Sequence, residues 1–140
     1  MADISAADVK TLRDKTGVGM MACKKALAES NGDIDKAVEI LRKRGEAKAA
    51  EKADRSTSEG RIAFAGRTIL KLLCETDFVA NNEQFVAYGQ ELAGKADNDG
   101  VEAMKTFFED TKTDKIQAIG ENIVLDEIVV LEGGDTVAGY

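Results

Sequence analysis

The chain contains no histidine, no proline and no tryptophan, and it has only two cysteines. Without histidine, neither the imidazole base of a serine or cysteine nucleophile nor a histidine metal ligand is available. Cys23 and Cys74 lie far apart and form no CxxC pair, so they do not supply a tetrahedral zinc site. We therefore interpret both cysteines as buried, reduced thiols, and we expect neither an enzyme nor a cofactor or metal.

Long apolar runs are also missing from the sequence. No stretch approaches the roughly 18 apolar residues of a membrane span, and residues 1–10 lack the basic and apolar regions of a signal peptide. We expect a cytoplasmic protein that does not contact a membrane. With 140 residues and 44% apolar content, the chain can form one domain or two small ones.

The net charge of −7 is distributed unevenly along the chain. Residues 1–55 carry 12 basic and 10 acidic side chains, whereas residues 56–140 carry 7 and 16. The second part, at −9, repels phosphate backbones and therefore disfavours direct nucleic-acid binding. A protein partner is favoured instead.

The first 55 residues predict a bundle of three short helices. Ser5 followed by Asp8 resembles a capping box, and Asp33 is a second N-cap candidate. Apolar residues recur at helical spacing after each cap. We expect helices over 5–17, 20–30 and 33–45, a polar helical segment over 46–54, and a domain boundary near residue 55.

Residues 56–140 predict a second domain that mixes strands and helices. The strand pattern includes a tight hairpin at Gly66-Arg67, and a third strand that either contains a bulge or is covered on both faces. The predicted fold is α+β: a three-helix bundle followed by a small antiparallel sheet of about three strands packed with helices. The expected strands are 61–65, 68–74 and 123–131. The expected helices are 81–94, with Asn81 as cap, 101–109 and 113–120. An incomplete element is expected to start at Val137.

The segment 74–82 places an apolar ring, Phe78, and a carboxylate, Asp77, between a predicted strand and a predicted helix. Loops run over the surface, whereas such a ring is usually buried. Two alternatives follow: Phe78 packs under the sheet, or it is displayed so that a partner can bury it. The residue pattern alone leaves both open.

Met20 and Met21 are adjacent and so lie about 100° apart on a helix. They cannot both face a small three-helix core, so at least one is expected to be exposed as adaptable contact surface. The surrounding Gly17–Ala22 also matches the dinucleotide pattern GxGxxA. It follows a helix and not a strand, however, so we interpret it as an interhelical turn.

Four motifs follow one another in order along the chain and together resemble the elongation factor Ts family. The resemblance runs from the first helix to the end of the chain. The motifs are VKTLRDKTGVGMMACKKAL at 9–27, NGD at 31–33, TDFVA at 76–80 and IGENI at 119–123.

This resemblance implies a guanine-nucleotide exchange factor for elongation factor Tu, the GTPase that delivers aminoacyl-tRNA to the ribosome. It implies an amino-terminal module similar to ubiquitin-associated domains that grips Tu, and a first half of an α+β core. Asp77 and Phe78 would enter between two helices of Tu, near its magnesium and phosphate side. The implied partner-binding residues are Arg13, Met20, Met21, Lys24, Thr76, Asp77, Phe78, Val79, Ile119 and Gly120.

Members of the family continue past the position of Tyr140. This leaves three alternatives: the chain is a truncated form, it is a natural short form, or it completes its core by forming a homodimer. The alternative function is a binding module that docks on Tu or on a ubiquitin-like partner without promoting nucleotide exchange.

Overall fold

The computed structural model describes residues 3–134 and Ala138. The chain forms two compact units, one of Met1–Ala53 with Thr113–Gly120 and one of Asp54–Lys112 with Glu121–Tyr140. The domain boundary near residue 55 stays a prediction. Val137, where the sequence predicts an incomplete element to begin, lies outside the described residues, as does Tyr140.

The first unit contains a bundle of three helices, α1 (Ala6–Thr16), α2 (Met20–Glu29) and α3 (Ile34–Lys52). The predicted cap of α1 is confirmed, because the Ser5 hydroxyl accepts a hydrogen bond from the Asp8 amide at 3.0 Å. Apolar positions at helical spacing form the core of the bundle. Its buried members are Val9, Leu12, Val18, Cys23, Ala26, Leu27, Ala37 and Leu41.

Helix α3 continues beyond Gly45 to Lys52, so the predicted stop at Gly45 is wrong. Gly45 is buried, and a Cβ atom there would lie 2.5 Å from the side-chain oxygen of Gln117. This glycine therefore permits a close approach within the first unit and does not end the helix.

The second unit contains an antiparallel sheet of three strands, β1 (Glu59–Ala65), β2 (Thr68–Cys74) and β3 (Val124–Val130), in the order β1-β2-β3. Gly66 adopts a φ of 55° and joins β1 to β2 in the predicted hairpin. The α+β class is confirmed by this sheet together with the helices.

The two faces of the sheet differ in burial. Leu70 and Leu72 of the central strand are buried on the face that a helix of the same unit covers. On the opposite face, Phe64 and Val129 are 46% and 48% exposed. Coverage of β3 on both faces is therefore wrong, whereas the predicted irregularity is found as a register shift between Leu70 and Leu72.

Three further helices, α4 (Asp77–Ala80), α5 (Glu83–Asp99) and α6 (Val101–Ile119), follow the hairpin. Two predictions about them need correction. The segment expected to be only a loop contains the one-turn helix α4, and α5 is capped by Asn82, whose side chain accepts from the Gln84 and Phe85 amides, and not by Asn81.

Helices α5 and α6 are longer than the sequence predicts. Gly94 does not end α5, because the buried face continues through Ala96 until Gly100, with a φ of 97°, stops the helix. The expected break before Thr113 is also absent: α6 runs without interruption from Val101 to Ile119, and the Thr111 hydroxyl donates back to the Phe107 carbonyl at 2.7 Å. In the described ranges, no helix is sufficiently long and apolar to span a membrane.

Candidate functional site

The segment Thr76–Val79, here called the TDFV turn, lies between the end of β2 and the start of α5. Thr76 is the N-cap of α4, and its hydroxyl accepts from the Val79 amide at 3.4 Å. Asp77 is exposed, and the Phe78 side chain is 83% exposed. The ring is therefore displayed, in agreement with the second of the two alternatives that the sequence left open.

The carboxyl end of α4 is anchored by Arg61 of β1. The guanidinium donates from Nε to the Ala80 carbonyl and from Nη2 to the Asn81 side-chain oxygen, both at 2.9 Å. Asn81 in turn donates from Nδ2 to the Asp77 carbonyl at 2.9 Å. Asn81 thus closes α4, which explains why its neighbour Asn82 is the residue that caps α5.

The amino end of α4 is anchored by Glu121. Its Oε1 accepts from the amides of Glu75 and Thr76 at 3.1 and 3.0 Å, and its Oε2 accepts from the Thr76 hydroxyl at 2.7 Å. Sequence reasoning did not identify Glu121 or Arg61 as part of the site. The only signal was the position of Glu121 within the IGENI motif, since its contacts are 45 and 46 residues away in the chain.

A second exposed apolar surface lies at the start of α2 in the first unit. Met20 and Met21 are 49% and 78% exposed, which confirms that at least one of them does not face the core. Arg13 and Lys24 are also exposed. The interhelical turn before α2 is held in place by Cys23, whose buried thiol donates to the Val18 carbonyl at 3.4 Å.

Ile119 and Gly120 end α6 and belong to the first compact unit. Ile119 is half-buried and Gly120 is exposed, with a φ of 91°. The ten implied partner-binding residues are thus divided: the TDFV turn lies in the second unit and the other six residues lie in the first. Their role in binding a partner stays a prediction.

Cys74 lies at the end of β2, two residues before the TDFV turn. Cys74 is buried, and its thiol donates to the Thr76 carbonyl at 3.3 Å. Burial, reinforced by the negative charge of Glu121, raises the pKa of Cys74 to about 11, so the thiol is a poor nucleophile near neutral pH. Among the described residues, no group of three or more cysteine, aspartate or glutamate side chains is arranged to hold a metal ion.

Comparison with known proteins agrees with the motifs. A family model described as elongation factor TS matches residues 75–140. Curated proteins named elongation factor Ts are similar over nearly the whole chain: the protein of Sodalis glossinidius is 50% identical over 96% of this chain and 50% of its own length, and that of Nitratiruptor sp. is 48% identical over 98% and 50%.

The protein of the same name from Corynebacterium urealyticum is 44% identical over 100% of this chain and 54% of its own length. The chain therefore spans about half the length of the curated relatives it matches. A sequence identity of 44–50% along nearly the whole chain reflects common descent. The chain is therefore similar to elongation factor Ts proteins over nearly its whole length.

Proposed function

We propose that the chain is a translation elongation factor that binds elongation factor Tu in its GDP-bound form and promotes release of GDP. Phe78 and Asp77 enter Tu near the magnesium and phosphate side of its nucleotide site. The observation that carries this proposal is the 83% exposure of the Phe78 ring on a one-turn helix that is anchored at both ends.

The energetics of an exposed ring suit this function. An exchange factor needs no reaction chemistry of its own; it must bind the nucleotide-free GTPase more tightly than the GDP-bound form, and the same factor then weakens GDP binding. Burial of a phenylalanine side chain contributes about 1.5–3 kcal/mol. Where that burial is available only after the nucleotide site has shifted, its free energy becomes coupling between the two ligands.

Asp77 adds an electrostatic contribution to the same step. Its carboxylate is exposed directly beside Phe78. A negative charge that approaches the phosphate side of a nucleotide site repels the phosphates of bound GDP and attracts the magnesium ion away from them. Both effects weaken GDP binding in the complex and leave the nucleotide-free GTPase unaffected.

The exposed methionines of α2 supply affinity in this proposal. Met20 and Met21 present flexible, polarizable side chains, which adapt to the surface of a partner. Arg13 and Lys24 are exposed residues that make charged contacts at the rim of the same surface. Ile119 and Gly120 contribute a further contact.

The test is release of a fluorescent GDP analogue from elongation factor Tu, chased with excess unlabelled GDP. The intact chain is expected to raise the release rate in a concentration-dependent, saturable manner. The matched control is the chain with Glu102→Gln, a substitution at an exposed side chain on α6 that removes one charge. If the intact chain leaves the release rate unchanged, the proposed function is wrong.

The alternative is a binding module that docks on Tu, or on a ubiquitin-like partner, without nucleotide exchange. The observation that favours it is the location of Met20 and Met21 in a compact unit that does not include the TDFV turn. This alternative predicts a stable complex by titration, an unchanged release rate, and greater sensitivity of binding to Met20 and Met21 substitution than to Phe78 substitution.

A further inference from the structure

The TDFV turn cannot hold its own conformation. Helix α4 has only four residues, and isolated helices shorter than roughly 12 residues are marginal in water. Packing of Phe78 does not help either, because most of its side chain contacts solvent. Ala80 is buried and Val79 is half-buried, so α4 packs on the sheet of its own unit. Hydrogen bonds at the two ends of the turn complete its anchoring and set the direction of the exposed ring.

We propose that Glu121 is a positioning residue for the TDFV turn, and that its carboxylate fixes the amino end of α4 so that Phe78 is presented in a single orientation. This inference rests on the proposed function for its consequence in nucleotide exchange. The hydrogen bonds of Glu121 to Glu75 and Thr76, here called the clamp, are a property of the free chain and can be tested without Tu.

A carboxylate is suited to this position because it only accepts hydrogen bonds. Oε1 accepts hydrogen bonds from the backbone amides of Glu75 and Thr76. These amides follow the end of β2 and have no partner in a strand or helix. Oε2 accepts a hydrogen bond from the Thr76 hydroxyl at 2.7 Å, which uses the only proton of that hydroxyl. The lone pairs of that hydroxyl are then directed to the Val79 amide, so Glu121 sets the orientation of the N-cap itself.

The contact between the two segments is reciprocal. While Glu121 accepts from the backbone at Glu75 and Thr76, the Glu75 carboxylate accepts from the Asn122 amide at 2.8 Å. The buried Asn122 side chain donates to the Arg55 carbonyl at 3.2 Å, and the Arg55 guanidinium lies 3.5 Å from Glu75. The segments 75–76 and 121–122 are thus joined by hydrogen bonds in both directions, which fixes their register.

Partial burial strengthens these contacts. Glu75, Thr76 and Glu121 are all half-buried, so water competes less well for their hydrogen bonds than at an open surface. Hydrogen bonds to an ionised acceptor are also stronger than neutral ones. Asp77 and Phe78, by contrast, are exposed. The residues that hold the turn are thus partly shielded from water, whereas the two residues that it presents are exposed.

Glu121→Gln is the most informative variant, because it preserves the size of the side chain. The single carbonyl oxygen of glutamine cannot serve both the backbone amides and the Thr76 hydroxyl. Whichever way the amide is turned, its NH₂ group faces one of those donors. Thr76→Val removes the hydroxyl at constant shape, whereas Thr76→Ser retains it.

Amide hydrogen exchange on the free chain tests the clamp directly. The Ala80 and Asn81 amides donate within α4, to Thr76 and Asp77. In Glu121→Gln and Thr76→Val we expect both amides to exchange about tenfold faster, as the loss of one charge-assisted hydrogen bond implies. Exchange in the paired strands β1 and β2 is expected to stay unchanged. Thr76→Ser is expected to match the wild type, and Glu102→Gln is the charge control.

A merely structural role for Glu121 would speed exchange throughout the second unit, so uniform acceleration would overturn the proposal. Unchanged Ala80 and Asn81 rates in Glu121→Gln would overturn it as well. If Glu121→Gln does not fold, the comparison of Thr76→Val with Thr76→Ser decides the question from the other side of the same hydrogen bond.

Nucleotide release supplies the second readout. With the GDP-bound Tu complex, Glu121→Gln is expected to lower the maximal release rate about tenfold, while the half-saturating concentration of the chain changes much less. An unchanged maximal rate would contradict a positioning role. If the wild-type chain does not accelerate release at all, the proposed function fails, whereas the hydrogen-exchange comparison still decides whether Glu121 positions the turn.

Discussion

Removal of the Phe78 ring is the substitution with the most sharply defined consequences. In the free chain the side chain is 83% exposed, so Phe78→Ala gives up almost no packing. The free energy of unfolding is expected to change by less than about 0.5 kcal/mol, the range usual for surface substitutions. Denaturant unfolding followed by circular dichroism measures this directly.

The loss of the Phe78 ring should instead slow nucleotide exchange. Complete burial of a phenylalanine side chain contributes about 1.5–3 kcal/mol, and the exposed fraction leaves ~1.2–2.5 kcal/mol still to be gained on Tu. If that free energy is absent from the GDP-bound complex and already available in the transition state for GDP release, Phe78→Ala lowers the maximal rate of release by about 8- to 70-fold. Stopped-flow fluorescence with a labelled GDP analogue resolves such a change.

Phe64→Ala is the matched control, since it removes the same ring from a partly exposed position on β1. Phe64 is 46% exposed, so this variant is expected to lose more stability than Phe78→Ala while retaining its maximal release rate. The reasoning is refuted if Phe78→Ala exchanges nucleotide as fast as the wild type, or if Phe64→Ala loses as much activity.

Three further predictions concern other parts of the chain. Met20→Ser combined with Met21→Ser is expected to weaken binding to Tu about tenfold or more. The melting temperature is expected to fall only slightly, because Met21 is mostly exposed and Met20 is half-exposed; titration calorimetry and thermal unfolding check this. Leu72→Ala, at a fully buried position of β2, should cost about 2–5 kcal/mol in denaturant unfolding, and a loss below that range would contradict the assigned core. Cys74, with its pKa raised from 9.0 to about 11, should form roughly 100-fold less thiolate at pH 8 than an ordinary cysteine, so alkylation of the native chain should be slow and become rapid on unfolding. The same shift lowers the free energy of unfolding as the pH rises from 9 towards 11, because the unfolded chain loses the thiol proton first.

Local signals predicted the parts of the fold that depend on neighbouring residues. Ser5 and Asp33 cap their helices as expected, and Gly66 turns the hairpin. The exposure of at least one of Met20 and Met21 also follows from a short-range argument, the helical angle. In each of these cases the interaction that decides the outcome lies within a few residues. Loop position, by contrast, left burial and display of Phe78 both open.

The helix ends that were wrong depend on tertiary packing. Gly45 and Gly94 have low helix propensity, yet neither ends its helix. Gly94 lies within a packed face that continues to Ala96, and Gly45 is itself buried at the end of the packed face of α3. Tertiary burial outweighs a local cost of about 1 kcal/mol at such positions. A single sequence does not show which glycines are of this kind.

The anchors of the TDFV turn were missed for a different reason. Glu121 binds residues 45 and 46 positions away, and Arg61 reaches Ala80 and Asn81 across 19 and 20 positions. Polar residues in such positions have no periodicity, and their pairing depends on how β2 and the segment before β3 come together. Only the three-dimensional structure reveals that partnership.

The central claim is that Phe78 couples the binding of this chain to the loss of GDP from Tu. Its most direct test is calorimetric titration of the intact chain and of Phe78→Ala into nucleotide-free Tu and into GDP-bound Tu. The account predicts tighter binding of the wild type to the nucleotide-free form, with an affinity ratio that shrinks in Phe78→Ala by the same factor as the effect of the chain on GDP affinity. Equal affinity of the wild-type chain for both forms of Tu would contradict it.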